Sequence, residues 1–351
     1  MAEAYVNGQA VPRDAAIAAA ARLLASSTLP VIAGLAADVA GIRAGLRLAR
    51  AIGAVVDHAA GAELSRQAEV LARSGTMATT AQEVRQFGDV LLLAGPGDGD
   101  ETTRLIDYVC LGRQKRVITI GAAPSRPATV SLAAADEHAV AAALALLRAT
   151  LAGRLAAPPA DYVEAAELLR QARFGAVVYS AARLNSPALE MLLGLAGDLN
   201  AAHRFSTVAV PGPANGEAAL QICGWLFGVP LRSRWTAAAG AKHDPWRYDV
   251  RRVIREGEAD AALWIGPLQD PPDWLRAVPT IVLAGRGYAP DTMPQVAISV
   301  GRPGVDHPGV LHQLETQALS LVPASRPMAL PSSAEIVAAI HAALPQSRSG
   351  A

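Results

Sequence analysis

Short, almost wholly apolar runs bounded by glycine or proline recur along this chain, and each is followed within a few residues by a helical stripe. Val31-Ile32-Ala33 lies between Pro30 and Gly34, and Ala54-Val55-Val56 follows Gly53. Runs without polar alternation read as strands buried on both faces, the condition of a parallel sheet covered by helices. Between these two runs Val39, Ile42, Leu46 and Ala49 recur at helical spacing, while Arg43, Arg47 and Arg50 take the opposite face, so residues 29–58 read as one βαβ unit. Further strands are predicted at 90–93, 117–120, 129–132, 174–179, 206–210, 261–265, 280–283 and 296–300. Helices are predicted from Asp14 through Leu24, over 102–110, over the stripe Val140, Leu144, Leu147 and Leu151, and from Ser186-Pro187 through Ala196. Ser332 and Glu335 are spaced as a capping box before Ile336, Val337 and Ile340. The stretch 57–80 shows no strong period and reads as loop with short helical pieces.

At 351 residues the chain exceeds what one hydrophobic core usually supports, so two domains are expected. Apolar residues make up 52% but aromatics only 4%, and the Ala, Val and Leu excess suits thin helices on a buried parallel sheet. The strand-helix-strand order of 29–58 is echoed after residue 166. That echo predicts a first α/β domain from 1–57 plus 166–330, a second inserted α/β domain at 58–165, and a C-terminal helix and tail at 331–351. Ala156-Ala157-Pro158-Pro159 reads as the connector near the second boundary.

Lys plus Arg equals Asp plus Glu at 31 each, which leaves no net charge to attract nucleic acid or an acidic membrane. The longest apolar runs, such as 139–147, fall short of the roughly 18 residues a membrane span requires. The amino terminus has no basic segment leading into an apolar one, so a cytoplasmic location is expected. Cys110 and Cys223 each sit among apolar neighbours and read as core thiols.

Chemical motifs are sparse. Gly95-Pro96-Gly97-Asp98-Gly99-Asp100 follows a strand, where glycines bring backbone N–H groups to a phosphate, but Asp100 stands where a dinucleotide fingerprint needs its third glycine. The string also begins like a thiamine-diphosphate motif, yet its paired asparagines are missing, because the asparagines are Asn7, Asn185, Asn200 and Asn215. No two histidines are spaced to share a helical face beside a carboxylate, and neither a G-x-S-x-G elbow nor a P-loop is present. One segment concentrates aromatic and basic residues: Trp225, Phe227, Arg232, Arg234, Trp235, Lys242, His243, Trp246 and Arg247. It reads either as a crossover whose rings plug the sheet or as a partner surface, since Trp and Arg dominate interfaces.

Four segments, LPVIAGLAADVAGIRAGLRLARAIGAVVDH, FGDVLLLAGPGDGD, DLNAAHRFSTVAVPGPANGEAALQICGWLFGVPLRSRW and DHPGVLHQLETQALSLVPASRPMALPSSAEIVAAI, resemble successive landmarks of the B subunits of formylmethanofuran dehydrogenases and of their bacterial counterparts in formyltransferase/hydrolase complexes. The resemblance implies two Rossmann-like three-layer domains, one inserted in the other, as in the central domains of molybdopterin oxidoreductases. It also implies a cytoplasmic assembly with hydrolase, formyltransferase and C-type subunits, moving formyl groups between tetrahydromethanopterin and methanofuran on the way from formaldehyde to formate.

Departures from that family pattern are as informative. The family's amino-terminal cysteine cluster has no counterpart before Cys110, and the region of its metal-binding Cys or selenocysteine reads Asp57-His58-Ala59-Ala60-Gly61-Ala62-Glu63. Gly95, Gly97 and Gly99 lack the family's Asn-Pro, and the Asp-x-Arg element becomes Gly121-Ala122-Ala123-Pro124-Ser125-Arg126. These read as vestigial nucleotide loops. Without the soft ligand the metal has no protein anchor, so neither pterin nor iron-sulfur cluster is expected. The leading expectation is a non-catalytic structural subunit whose partner surface includes Trp225, Arg232, Arg234, Trp235, Trp246 and Arg247. The alternatives are an active tungsten- or molybdenum-pterin dehydrogenase subunit and a stand-alone nucleotide-dependent enzyme.

Overall fold

Early in the chain come β1 (Ala4–Val6), β2 (Gln9–Ala10), α1 (Arg13–Ala25), β3 (Pro30–Ala33), α2 (Val39–Ile52) and β4 (Val55–Val56). Asp38 starts α2 by accepting a hydrogen bond from Gly41 N at 3.0 Å, and Gly53 in the left-handed region ends it. Next are α3 (Gly61–Ser74), α4 (Ala81–Phe87), β5 (Val90–Ala94), α5 (Asp100–Cys110), β6 (Arg116–Ile120), β7 (Val130–Leu132), α6 (Glu137–Leu151), α7 (Ala160–Arg170), β8 (Phe174–Tyr179), α8 (Ser186–Asn200) and β9 (Arg204–Ala209). The last stretch holds α9 (Gly216–Phe227), β10 (Ser233–Thr236), β11 (Gly240–His243), α10 (Val250–Arg255), β12 (Ala261–Gly266), β13 (Thr280–Gly285), β14 (Val296–Val300), β15 (Gly309–Gln313), β16 (Ala318–Val322) and α11 (Ser333–Ala342). This computed structural model describes residues 3–95, 100–121, 127–236, 238–288 and 292–345. It divides into a first unit formed by residues up to 65, 213–312 and from 319 on, and a second formed by 66–212 and 313–318.

The first unit carries a nine-stranded sheet in the order β11-β10-β4-β3-β12-β13-β14-β1-β2. Its five central strands, β4, β3, β12, β13 and β14, are parallel, and antiparallel strands extend both edges. Side chains alternate between two cores. Ile32, Val56, Leu263, Ile281 and Ile298 face α1, α2, α9 and α11. Val31, Val55, Ala262, Trp264 and Val282 face Tyr248, α10 and the turn around Leu275. The capping box read from Ser332 and Glu335 is present and opens α11, whose Ile336, Val337 and Ile340 join the first of these cores.

In the second unit five strands in the order β7-β6-β5-β8-β9 are all parallel. One face packs on α6, α7 and α8, and the other on α4 and α5. The chain is thus a mixed α/β protein built on parallel sheets. Among the described residues no helix is long and apolar enough to cross a membrane.

The expected second boundary is corrected by the strand pairing. The echo between strand-helix-strand units predicts 174–210 in the first sheet, but β8 pairs along its whole length with β5, and β9 pairs with β8. The unit therefore ends near 212 rather than 165, and Pro158-Pro159 merely turns α6 into α7, which packs beside β7 on the same sheet. The loop expected over 57–80 is also corrected, because α3 occupies most of it. Its inward positions include Gly61, Ser65 and Gln67 besides Leu64 and Val70, so no apolar stripe marks the helix. Asn185 caps α8, accepting from Ala188 N at 2.9 Å.

Gly175 in β8 lies opposite Phe205 in β9, and a Cβ there would stand 2.2 Å from the Phe205 ring. Gly197 on α8 is exposed with nothing within 4 Å of its would-be Cβ. Urea unfolding should show Gly175→Ala destabilised by about 2 kcal/mol or more. In the same assay Gly197→Ala should be stabilised by about 0.5 to 1 kcal/mol. Equal effects at the two positions would contradict this packing.

Candidate functional site

In an open parallel sheet, ligands settle beyond the carboxyl ends of the strands where the winding reverses. Here the chain winds from β3 to β4 on one side and from β12 to β13 on the other, so that point lies between β3 and β12. The loops there are laced together. Ala36 N donates to Ile265 O at 2.8 Å, and Leu268 N donates to Ala36 O at 3.0 Å. Trp264 is 1% exposed and donates from Nε1 to Gln269 O at 3.0 Å. Gly34, with φ +80°, comes so near that a Cβ would lie 2.8 Å from Ile265 O and 2.9 Å from the Trp264 ring. These contacts tie the loops after β3 and β12 closely together at this point.

Beside it, β4 delivers Asp57 and His58, both buried. Asp57 Oδ1 accepts from His58 N at 2.9 Å, and Oδ2 lies 3.3 Å from Arg232 Nε, outside hydrogen-bonding alignment. Arg232 reaches Asp249 Oδ2 at 2.9 Å with Nη2 and Pro245 O at 2.8 Å with Nη1. Its backbone has φ +59° and donates to Val56 O at 3.1 Å, which turns the side chain inward. Asp249 in turn caps α10 by accepting from Arg252 N at 3.1 Å. One guanidinium therefore serves two carboxylates beneath the sheet end.

The imidazole of His58 is equally committed. Nδ1 accepts from Ala60 N at 2.9 Å, which places the ring proton on Nε2, and Nε2 donates to Ala214 O at 3.3 Å. Burial lowers its pKa to about 4, so the ring is neutral at physiological pH. Ala214 (φ 53°) and Asn215 (φ 66°) hold the left-handed turn that presents this carbonyl, a conformation costing about 1 kcal/mol or more per residue. The turn is secured by the Asn215 side chain, whose Nδ2 donates to Ala37 O at 2.8 Å and whose Oδ1 accepts from His312 N at 2.8 Å.

Of the residues expected at a partner surface, Arg232 is corrected to an interior position, because Asp57 and Asp249 draw it inward. Arg234 donates to Gly53 O at 2.7 Å, and Trp235 is half-buried between the Phe227 ring (centroids 5.8 Å apart) and the Arg50 guanidinium (4.5 Å). Trp225 and Trp246 stand outward at 68% and 69% exposure, and Arg247 is also exposed. Gly95 ends β5, donating to Ile120 O at 3.0 Å, while Gly97, Gly99 and Arg126 lie outside the described residues. Both cysteines are free thiols; burial pushes Cys223 up to about 12, where it stays protonated. Among the described residues no group of three or more His, Cys, Asp or Glu side chains is gathered to hold a metal ion.

No protein-family model matches the chain. It is 35% identical over 348 residues to the B subunit of the formyltransferase/hydrolase complex Fhc of Methylorubrum extorquens, covering 96% of this chain and 95% of that one. It is 25% identical over 278 residues to the B subunit of the tungsten-containing formylmethanofuran dehydrogenase 2 of Methanocaldococcus jannaschii, covering 72% of this chain and 63% of that longer protein. Among solved structures it resembles a chain of the formyltransferase/hydrolase complex (FhcABCD) from M. extorquens in complex with methylofuran, with TM-score 0.87, 35% identity, and coverage of 97% and 98% of the two chains.

The charge cluster carries a pH dependence. Burial raises Asp57 from 3.8 to about 7, outweighing the lowering by Arg232, and Asp249 adds to the rise. A carboxyl whose folded pKa is raised favours folding while protonated. That contribution is full below about 4 and is lost as pH climbs through 7. Asp57→Asn removes the titration at nearly constant shape, so its Tm relative to the native chain should rise by at least about 3 °C between pH 5.5 and 8.5. A Tm difference independent of pH would show that Asp57 is already ionised throughout.

Proposed function

The chain belongs to the family of B subunits of formyltransferase/hydrolase complexes, and from that premise we propose that it is a non-catalytic structural subunit of such a complex. Its partners are then the hydrolase, formyltransferase and C-type subunits, and its setting is cytoplasmic one-carbon metabolism, in which formaldehyde is carried to formate on tetrahydromethanopterin and methanofuran. In this reading the two units correspond to Rossmann-like domains, one inserted in the other, like the central domains of molybdopterin oxidoreductases.

The observation that carries the proposal is the use made of Asp57 and His58. They occupy the segment where the resemblance places the metal-binding thiol of redox relatives. A carboxyl group offers hard oxygen in place of soft sulfur, and this one is buried with Oδ1 accepting from His58 N and Oδ2 facing Arg232. The residues present therefore do not fit a pterin-bound tungsten or molybdenum, and we assign the chain no cofactor. His58 has no idle nitrogen with which to move a proton. Trp225 and Trp246 remain as outward anchors for partner subunits.

The test is reconstitution of the complex with its companion subunits. Complexes carrying His58→Gln should transfer and hydrolyse formyl groups within about twofold of the native rate, since a general acid–base would contribute ~10²–10⁴. The isolated chain should turn over neither reaction, and omitting it should prevent assembly. A His58→Gln complex that assembles fully yet loses about a hundredfold or more in rate would overturn the proposal.

A further inference from the structure

Trp246 is held in a position that folding alone does not reward. Its ring is 69% exposed, yet its backbone and its inner face are fixed by a buried residue, Arg252, which is only 6% exposed. The Arg252 guanidinium lies 4.3 Å from the Trp246 ring centroid. Its Nε donates to Trp246 O at 3.0 Å, and its Nη2 donates to Arg247 O at 2.7 Å. From the other side of the turn, Asp244 Oδ1 accepts from Trp246 N at 3.0 Å and from Arg247 N at 2.8 Å. Glu256 and Glu258 complete the clamp by accepting from Arg252 Nη1. A buried cation matched by two carboxylates thus holds an indole out toward solvent.

Around this ring the exposed charge is basic. Arg247 precedes α10, and Arg251 and Arg255, four residues apart, share one outward side of that helix. Lys242 is exposed on the preceding strand. The nearby acids Glu256 and Glu258 are engaged by Arg252, and Glu256 also lies 3.2 Å from Arg255. Among the described residues Arg247 and Arg251 form no salt bridge within 4 Å, although Arg247 lies in the field of Asp244 and 5.9 Å from the Tyr248 ring centroid. Acids and bases are equal in number over 242–260, but the acids are engaged, Asp244 by backbone N–H groups, Asp249 by Arg232, Glu256 and Glu258 by Arg252, and Asp260 by Ser27 and the backbone of Thr28 and Leu29. Arg247 and Arg251 are therefore the exposed guanidiniums left without a salt bridge beside a preorganised aromatic anchor.

We propose that Trp246 with Arg247 and Arg251 is a docking surface for an acidic segment of a partner subunit, and that Arg252 is its positioning residue. This rests on reading the chain as a subunit of a complex. The open indole face takes an apolar side chain of the partner, and the exposed guanidiniums of Arg247 and Arg251 take carboxylates beside it, bidentate in geometry. Because the clamp already fixes the ring, little conformational freedom is lost on binding. The carboxylates confer salt dependence and the indole does not.

The experiment measures assembly of the full-length chain with its companion subunits at low and at high salt. Trp246→Ala should weaken assembly about tenfold or more at both, as expected for a central aromatic anchor. The double variant R247E/R251E should weaken it strongly at low salt and converge on the native chain at high salt. Trp246→Phe should recover part of the loss. Native affinity and native salt dependence in both variants would overturn the surface while leaving the subunit reading intact. If the native chain itself does not assemble with these subunits, the subunit reading and the surface fall together. If Trp246→Ala instead changes only self-association of the isolated chain, the surface belongs to a second copy and the proposal is wrong.

Discussion

A guanidinium enclosed beneath the end of an apolar sheet must be matched by carboxylates, and that requirement organises the first unit. Taking a charge out of water costs several kcal/mol, and only close, well-arranged partners offset it. Arg232 meets the condition toward Asp249, at the start of α10, and only in part toward Asp57, at the end of β4, which lies 3.3 Å away outside hydrogen-bonding alignment. The match is incomplete: burial, with a smaller contribution from Asp249, outweighs the attraction of Arg232 and raises the Asp57 carboxyl to about 7. The same cluster fixes the direction of the chain at three places: the turn after β4, the left-handed residue before β10, and the cap of α10. His58 extends the fastening by tying that turn to Ala214, immediately before α9.

The parallel strands are legible in the sequence for a physical reason. A strand buried on both faces reads as a continuous apolar run, so β3, β5, β6, β8, β12, β13 and β14 all lie where such runs occur. Membership of a sheet is not legible. Phe174–Tyr179 is as apolar as Ala261–Gly266, and nothing in either run states which neighbour it will pair with, so the echo between two strand-helix-strand units places β8 in the wrong sheet. Helix α3 escapes notice because Gly61, Ser65 and Gln67 face inward without apolar side chains.

The site is legible only by what it lacks. The absence of a thiol near Asp57 is visible in the sequence, whereas the surrounding network is not, because Arg232 lies far downstream and its inward turn depends on a left-handed backbone. The aromatic and basic segment stands out in the sequence as a single candidate surface. Folding splits it, with Arg232 inside, Arg234 and Trp235 bound to the end of α2, and Trp225 and Trp246 outside. Asp249 and Arg252, which do most of the positioning, carry no sequence signal beyond being charged residues beside a short helix.

On the proposed reading, a family member that keeps its packed cores and parallel sheets while its site residues bind one another is a fold retained for its surfaces. The hard, buried carboxyl of Asp57 stands where a soft thiol would be needed to anchor a tungsten or molybdenum centre on the chain. Elemental analysis of the intact complex purified from its native cell tests most directly whether such a centre forms. Tungsten and molybdenum should lie far below one atom per copy of this chain; about one atom of either per copy, retained through purification and chelator treatment, would show that a soft-metal centre forms on it after all.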